Sequence, residues 1–304
     1  MSTPNVLVFG ATGNVGSAVI RELLPDHKEG RLNLIAAVRR AEAVPGFEQQ
    51  GIETRLIDLN RAELEGLAPI IEATRGADRL FLLTGYDVKM LAQSKAVIDA
   101  ASVVGVSHIV HMGANGRSDT TSAHLAWHRL IEAYVERSGI GFTHLRPSQF
   151  MQTLPLMHAL SGGSGVIESY AGDARVGWID IADIAAVAGA ALRNPASHAG
   201  QIYPLAADLG SMHEVVTLLS EMTGQAWRYE AREPEEFFKK MTGMGVDPVY
   251  MKGVENGFVR TRNGTLPELC EVYDNIRSLT GRAPTSLRTF VERNRSAFEI
   301  SAPA

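Results

Sequence analysis

A single cysteine, Cys270, stands in 304 residues, so no intrachain disulfide can form and a reducing compartment fits. Long apolar runs are missing as well. None approaches the roughly 20 residues of a membrane span, which argues against a membrane partner. No basic tract stands out among 29 basic and 34 acidic residues, and the formal charge is -5. That balance argues against nucleic acid and anionic lipid as partners. The chain begins a strand almost at once, with no basic leader before an apolar run, so no signal peptide is expected and a cytoplasmic location is. Internal repeats and low-complexity tracts are also lacking. What remains is an ordinary globular composition, 45% hydrophobic and 21% charged. The length allows about two domains, or one large α/β unit with an appendage. Such a chain can bury a core without covalent staples.

Short apolar runs alternate with helix-period segments. Val6–Gly10, Asn33–Val38, Arg79–Thr84, Ile109–Met112 and Phe142–Arg146 read as strands. Between them Asn14–Leu24, Lys89–Val104 and Leu125–Ser138 read as helices. In the first of these Val15, Val19, Ile20, Leu23 and Leu24 form one apolar stripe. This alternation predicts a parallel sheet covered on both faces. After about residue 150 the rhythm changes. Ala171–Arg175 reads as a tight turn between short strands, Asp180–Leu192 as a helix with Asp180 and Asp183 at its start, and Ile202–Leu205 as a returning strand. The stretch from 211 to 304 reads as helical, and EAREPEEFFKK (230–240) as a solvated helical face.

VLVFGATGNVG (6–16) joins a strand, three glycines and an amphipathic helix. Gly10 permits a sharp turn after the strand, Gly13 lets backbone approach a pyrophosphate, and Gly16 lets the helix pack closely. Thr12, Asn14 and Val15 complete the loop, whose free N–H groups at the helix start would face phosphate. The second strand ends NLIAAVRR, with Arg39 and Arg40 where an NAD site would carry an acid. Arginine suits a ribose 2′-phosphate, so the expected cofactor is NADP(H), with Arg39 as the ligand. Asp58 and Leu59 follow the third strand. Asp58 either reaches the adenine amino group or caps the segment starting near Asn60. Thr84 and Gly85 end the fourth strand, on the edge where ligands of open α/β sheets lie.

Several segments together resemble the NmrA-like family of atypical short-chain dehydrogenases/reductases: GATGNVG, the VRR strand end, IDLN, LRPSQFMQTL (145–154), GDARVGWIDIADIAAVAGAAL (172–192) and the MTGMGV segment. The resemblance covers nearly the whole chain. It implies an α/β Rossmann-type, doubly wound parallel sheet with a smaller, mostly helical C-terminal domain. The NADP-binding domain would take 1–150 and 176–207, the substrate domain 151–175 and 208–304, with a cleft between them. The chain is similar to NADPH-dependent members that reduce quinones or triphenylmethane dyes, and to members that bind NADP and act as redox-sensing regulators.

The resemblance also implies what should stand at SAHLAWHRLIEAY (122–134): a Tyr-x-x-x-Lys pair, preceded by a serine at the end of the fifth strand. His124 and His128 hold the tyrosine and lysine places, with Glu132 four residues on. Met112 and Gly113 stand in the serine region, and Ser118 and Ser122 are off pattern. One reading has both histidines on one helix face, looking into the cleft, with His128 donating to a ribose hydroxyl. His124 could then serve as an acid. A second is a metal pair, which lacks a third ligand; no metal is expected. A third is purely structural. Candidate substrate residues are Tyr86, Gln149, Phe150, Met151 and Tyr170, with Trp178, Met244 and Tyr250 as further candidates; core packing is the rival explanation for each. Lacking the acid machinery, the chain reads as a reductase of conjugated, quinone-like or aromatic small molecules. The alternatives are a non-catalytic NADP(H) sensor and a carbonyl or alcohol oxidoreductase using His124.

Overall fold

Each apolar run of the sequence becomes a strand close to its expected bounds. The computed structural model describes Thr3–Ile300; residues 1–2 and 301–304, the outermost residues of the two expected domains, lie outside the described residues. In chain order the strands are β1 (Asn5–Val8), β2 (Asn33–Val38), β3 (Glu53–Leu56), β4 (Arg79–Leu82), β5 (His108–Met112), β6 (Gly141–Pro147), β7 (Gln149–Phe150), β8 (Val166–Ser169), β9 (Val176–Ile179), β10 (Gln201–Leu205), β11 (Asp208–Gly210) and β12 (Arg228–Ala231). Seven of them form one sheet in the order β10-β6-β5-β4-β1-β2-β3. From β6 through β5, β4, β1 and β2 to β3 the pairings run parallel, with Leu7 opposite Ile35 and Leu80, and His111 opposite His144. Parallel pairing needs crossovers, and the helices Asn14–Lys28, Met90–Val104 and Ala123–Arg137 supply them. The order reverses between β4 and β1, beside the glycine loop, which is the switch point where open sheets of this kind hold ligands.

The chain divides into two compact units. The first comprises residues up to Ala114, Trp127–Arg146 and Ile184–Tyr203. Its core is built from doubly buried strands: Val6, Leu7, Val8, Leu34, Ile35, Leu80 and Phe81 are almost wholly enclosed. The helix Asn14–Lys28 lays Val15, Val19, Ile20 and Leu23 onto it. Burying each such side chain is worth about 1.5–3 kcal/mol.

The second unit comprises Asn115–Ala126, Pro147–Asp183 and Pro204 onward. Its core gathers Met151, Leu154, Trp178, Leu219, Phe290 and Phe298. It also holds two small sheets, which move its bounds away from those expected. β9 pairs with β7 and β11, so 176–183 belongs here and not with the large sheet. Asn115 carries 115–126 here too, because its buried amide donates to Ser148 Oγ, the Glu268 carbonyl and the Tyr273 hydroxyl. The tail is not uniformly helical. β12 pairs in parallel with β8, so Glu230 and Ala231 of the charged run are strand, and the helix starts only at Pro234. Phe237 in that helix packs on Tyr170 and Phe258 with ring centroids 5.2 and 5.0 Å away, so the run has an inner side. No helix among the described residues is long and apolar enough to cross a membrane.

Candidate functional site

The glycine loop is organised around one carbonyl. Gly10 turns with φ +69°, in the left-handed region that glycine enters freely. Its carbonyl oxygen accepts the Gly13 N–H at 2.9 Å. A Cβ on Gly16 would stand 2.1 Å from that same oxygen, so position 16 excludes every side chain. The close packing read from sequence is therefore packing of the helix on the loop itself. A Cβ on Gly13 would meet only the Gly10 oxygen, at 3.3 Å, leaving its other side open. Gly13 is the N-cap of a fifteen-residue helix with no side-chain cap and no acid in its first turn. The uncapped amides of Asn14 and Val15 and the exposed Thr12 suit a pyrophosphate.

Arg39 and Arg40 leave β2 exposed, and neither makes an ion pair among the described residues, so both guanidiniums are available to a 2′-phosphate. Asp58 takes its capping role: Oδ1 accepts from the Asn60 N–H at 3.0 Å and from the Asn60 side chain at 2.9 Å. Leu59 begins the short turn that Asp58 caps. Thr84 and Gly85 follow β4, and Met112 and Gly113 close β5. All follow the carboxyl ends of the parallel strands, on the edge that carries the loop. A dinucleotide fits this set of residues.

His128 belongs to the first unit, its ring centroid 6.2 Å from that of His111 on β5. His111 in turn meets His144 of β6 edge-on at 5.3 Å. Beside them Glu132, only 2% exposed, accepts from Arg146 Nη2 at 2.6 Å and pairs with Arg129 at 2.5 Å. Arg129 also donates to the Ala114 carbonyl at 3.0 Å. Gly113 makes room for this cluster, since a Cβ there would lie 3.1 Å from Glu132 Oε1. Burial pulls Arg129 down to about 10 and His144 down to about 3, and drives His111 well below the usual imidazole range. His111, Glu132 and His144 bring ligand atoms within 4.8 Å of one another. A divalent cation there would face two guanidiniums already holding the carboxylate, so the charges oppose it. The cluster was not foreseen. Its signal was the histidine at matched positions of two neighbouring strands, together with Arg and Glu three apart on one helix.

His124 belongs to the second unit. Its Nδ1 lies 3.1 Å from the Gly253 carbonyl and 3.4 Å from Ser122 Oγ, and Tyr250 stands 6.3 Å away between centroids. Burial lowers its pKa to about 4, although the Gly253 bond raises it somewhat. It lines a cavity of about 100 Å³ with Gln149, Val176, Val254, Phe258 and Leu269. Tyr170 packs against Phe258 at 5.5 Å, one layer behind that wall. Two substrate candidates are corrected here. Met151 and Trp178 are 0% exposed and belong to the unit's core, where Trp178 also donates to the Gly210 carbonyl at 3.0 Å. Met151 lies in the turn that follows β7 and faces the core, while Gln149 on β7 lines the cavity. Phe150 is half-buried, and its carbonyl accepts from Thr153 Oγ1 at 2.7 Å. Tyr86 and Met244 are exposed, at 68% and 62%, and line no part of this cavity. Gly253 and Gly257, one turn apart, escaped the sequence reading. They let their helix approach His124, for a Cβ at Gly257 would fall 3.0 Å from its ring.

Comparison with known proteins follows the same lines. The chain is 30% identical over 296 residues to an NAD(P)H azoreductase of Xenophilus azovorans, covering 96% of this chain and 99% of that protein. An NADPH-dependent quinone oxidoreductase of Escherichia coli, solved with NADPH, superposes with a TM-score of 0.80 at 24% identity, covering 95% and 99% of the two chains. A negative transcriptional regulator, solved with NAD, shares the fold with a TM-score of 0.74 at 16% identity, covering 99% and 96%. The NmrA-like family model matches residues 2–263, and the chain belongs to that family.

Proposed function

We propose that this protein is an NADPH-dependent reductase that delivers hydride to a conjugated acceptor, such as a quinone or an azo or triphenylmethane dye. The observation that carries the reading is the glycine loop, closed on the Gly10 carbonyl and open at Gly13, together with two exposed arginines after β2 that make no ion pair among the described residues. Gly10, Thr12, Gly13, Asn14 and Val15 would hold the pyrophosphate, and Arg39 the 2′-phosphate. A nicotinamide so bound supplies two electrons and a hydrogen to an acceptor beside it. The similarity to an NAD(P)H azoreductase supports an acceptor of this class.

The choice of acceptor follows from what His124 can do. Reducing a plain ketone creates an alkoxide that needs a proton donor. His124 is neutral at pH 7, and its one proton points at the Gly253 carbonyl. It is a poor acid in that state. A conjugated acceptor spreads the incoming charge and needs orientation in a dry site more than it needs an acid. His128, beside His111, could donate to the nicotinamide ribose as the lysine of related enzymes would. The test is NADPH consumption against quinones, azo and triphenylmethane dyes, enones and ketones. Oxidation with the conjugated acceptors and none with plain ketones is expected. Tight NADPH binding without turnover on any acceptor would establish the sensor instead, and ketone turnover lost in His124→Ala would establish the acid.

A further inference from the structure

We propose that the cavity of the second unit binds one aromatic ring carrying a hydrogen-bond donor, a phenolic hydroxyl or an arylamine, with His124 Nε2 accepting from it and the Gln149 amide beside it. The tautomer of His124 is the starting point. A carbonyl oxygen can only accept, so the 3.1 Å contact from Nδ1 to Gly253 requires the proton on Nδ1. In a neutral imidazole the other nitrogen is then a bare lone pair. His124 is held neutral by burial, with its pKa at about 4. Nε2 makes no hydrogen bond among the described residues.

The His124 ring itself lines the cavity. Gly257 lines the cavity, and a Cβ there would fall 3.0 Å from His124 Cε1 and 3.8 Å from Nε2. Any larger residue at 257 would cover that edge. The other polar group at hand is Gln149, whose side-chain amide makes no hydrogen bond among the described residues; the Thr261 hydroxyl is committed to the Gly257 carbonyl at 2.8 Å. Val176, Val254, Phe258 and Leu269 supply apolar walls. The volume of about 100 Å³ takes most of one benzene ring; for comparison, a cavity of about 150 Å³ holds benzene whole. An acceptor nitrogen beside apolar walls selects for a donor on the ring, because a ring without one displaces water from the lone pair and leaves it unpaired.

The inference rests on the proposed function only in taking the ligand to be aromatic. For that reductase it ranks the conjugated acceptors, favouring those that present a phenolic or arylamine ring. Binding of phenol and of fluorobenzene, similar in size and differing in the donor, to the whole chain near pH 7.5 tests it by ligand-observed NMR. Phenol should bind about three- to tenfold tighter, the span of one hydrogen bond. The preference should vanish in His124→Phe and return in part in His124→Gln, whose amide oxygen reaches the place of Nε2. Nitrogen NMR of the wild-type imidazole should show Nδ1 protonated and Nε2 bare, with Nε2 shifted by phenol and not by fluorobenzene. That readout decides the matter even if His124→Phe does not fold. Equal affinities, a preference unchanged in His124→Phe, or a proton on Nε2 would overturn the proposal. Phenol binding without NADPH turnover would remove the reductase reading alone; turnover without phenol preference would remove this one alone.

Discussion

Gly13 and Gly16 are both glycine for reasons that a single atom separates. At Gly16 an added methyl would sit 2.1 Å from the Gly10 carbonyl oxygen, which belongs to backbone and cannot swing aside. At Gly13, with φ -84°, an alanine meets only that oxygen, at 3.3 Å, and otherwise points into open space. Gly16→Ala should therefore lower the melting temperature and abolish NADPH binding together. Gly13→Ala should melt within a few degrees of wild type and lose at least tenfold in NADPH affinity, since its methyl occupies the surface where phosphate approaches. Calorimetric melting and a fluorescence titration check both. A Gly13→Ala protein with unchanged affinity would place the pyrophosphate elsewhere. The sequence made the glycine spacing legible because turn and helix are local. It left the role of Asp58 open between cap and ligand, since both use the same oxygen, and it could not show that Met151 turns into the core. Met151 stands in the turn after β7, where strand alternation no longer sets the facing of a side chain, and only its neighbours in space decide that it points inward.

At the scale of elements, the strands and crossover helices were readable because fully buried strands are apolar throughout and the helices between them carry one apolar stripe. β8 and β12 were missed as a pair: each is four residues long, they lie far apart in sequence, and β12 is flanked by charges. The helix Ala123–Arg137 carries both histidines. Within the first unit it is pinned by Glu132, which joins Arg129 of the same helix to Arg146 of β6. Glu132→Ala would leave two largely buried guanidiniums without their carboxylate. A loss of about 3–5 kcal/mol in denaturant unfolding is expected, the usual cost of breaking a buried pair from one side. A change below about 1 kcal/mol would mean that the helix is held by apolar packing alone. The family resemblance brought Glu132 forward only as the acid four residues beyond His128; its arginine partners became visible only when β6 and the helix were seen together.

For the whole molecule, family membership spans both compact units, and the 30% identity to an azoreductase extends over 96% of the chain. Fold alone does not separate a reductase from a regulator, because both kinds of protein superpose on this one. The distinction rests on turnover, and what both share is a bound nicotinamide nucleotide, NADPH in one and NAD in the other. Its identity here depends on charge: Arg39 and Arg40 stand exposed after β2, with no carboxylate partner among the described residues. A guanidinium gripping the 2′-phosphate is worth about 1.5–3 kcal/mol, or roughly ten- to a hundredfold in affinity. The most direct measurement is therefore the pair of dissociation constants for NADPH and NADH, in wild type and in Arg39→Ala. NADPH should bind wild type at least tenfold tighter, and Arg39→Ala should erase most of that difference while leaving NADH binding nearly unchanged. Equal affinity for the two nucleotides in wild type, or a preference for NADPH that survives in Arg39→Ala, would contradict the account.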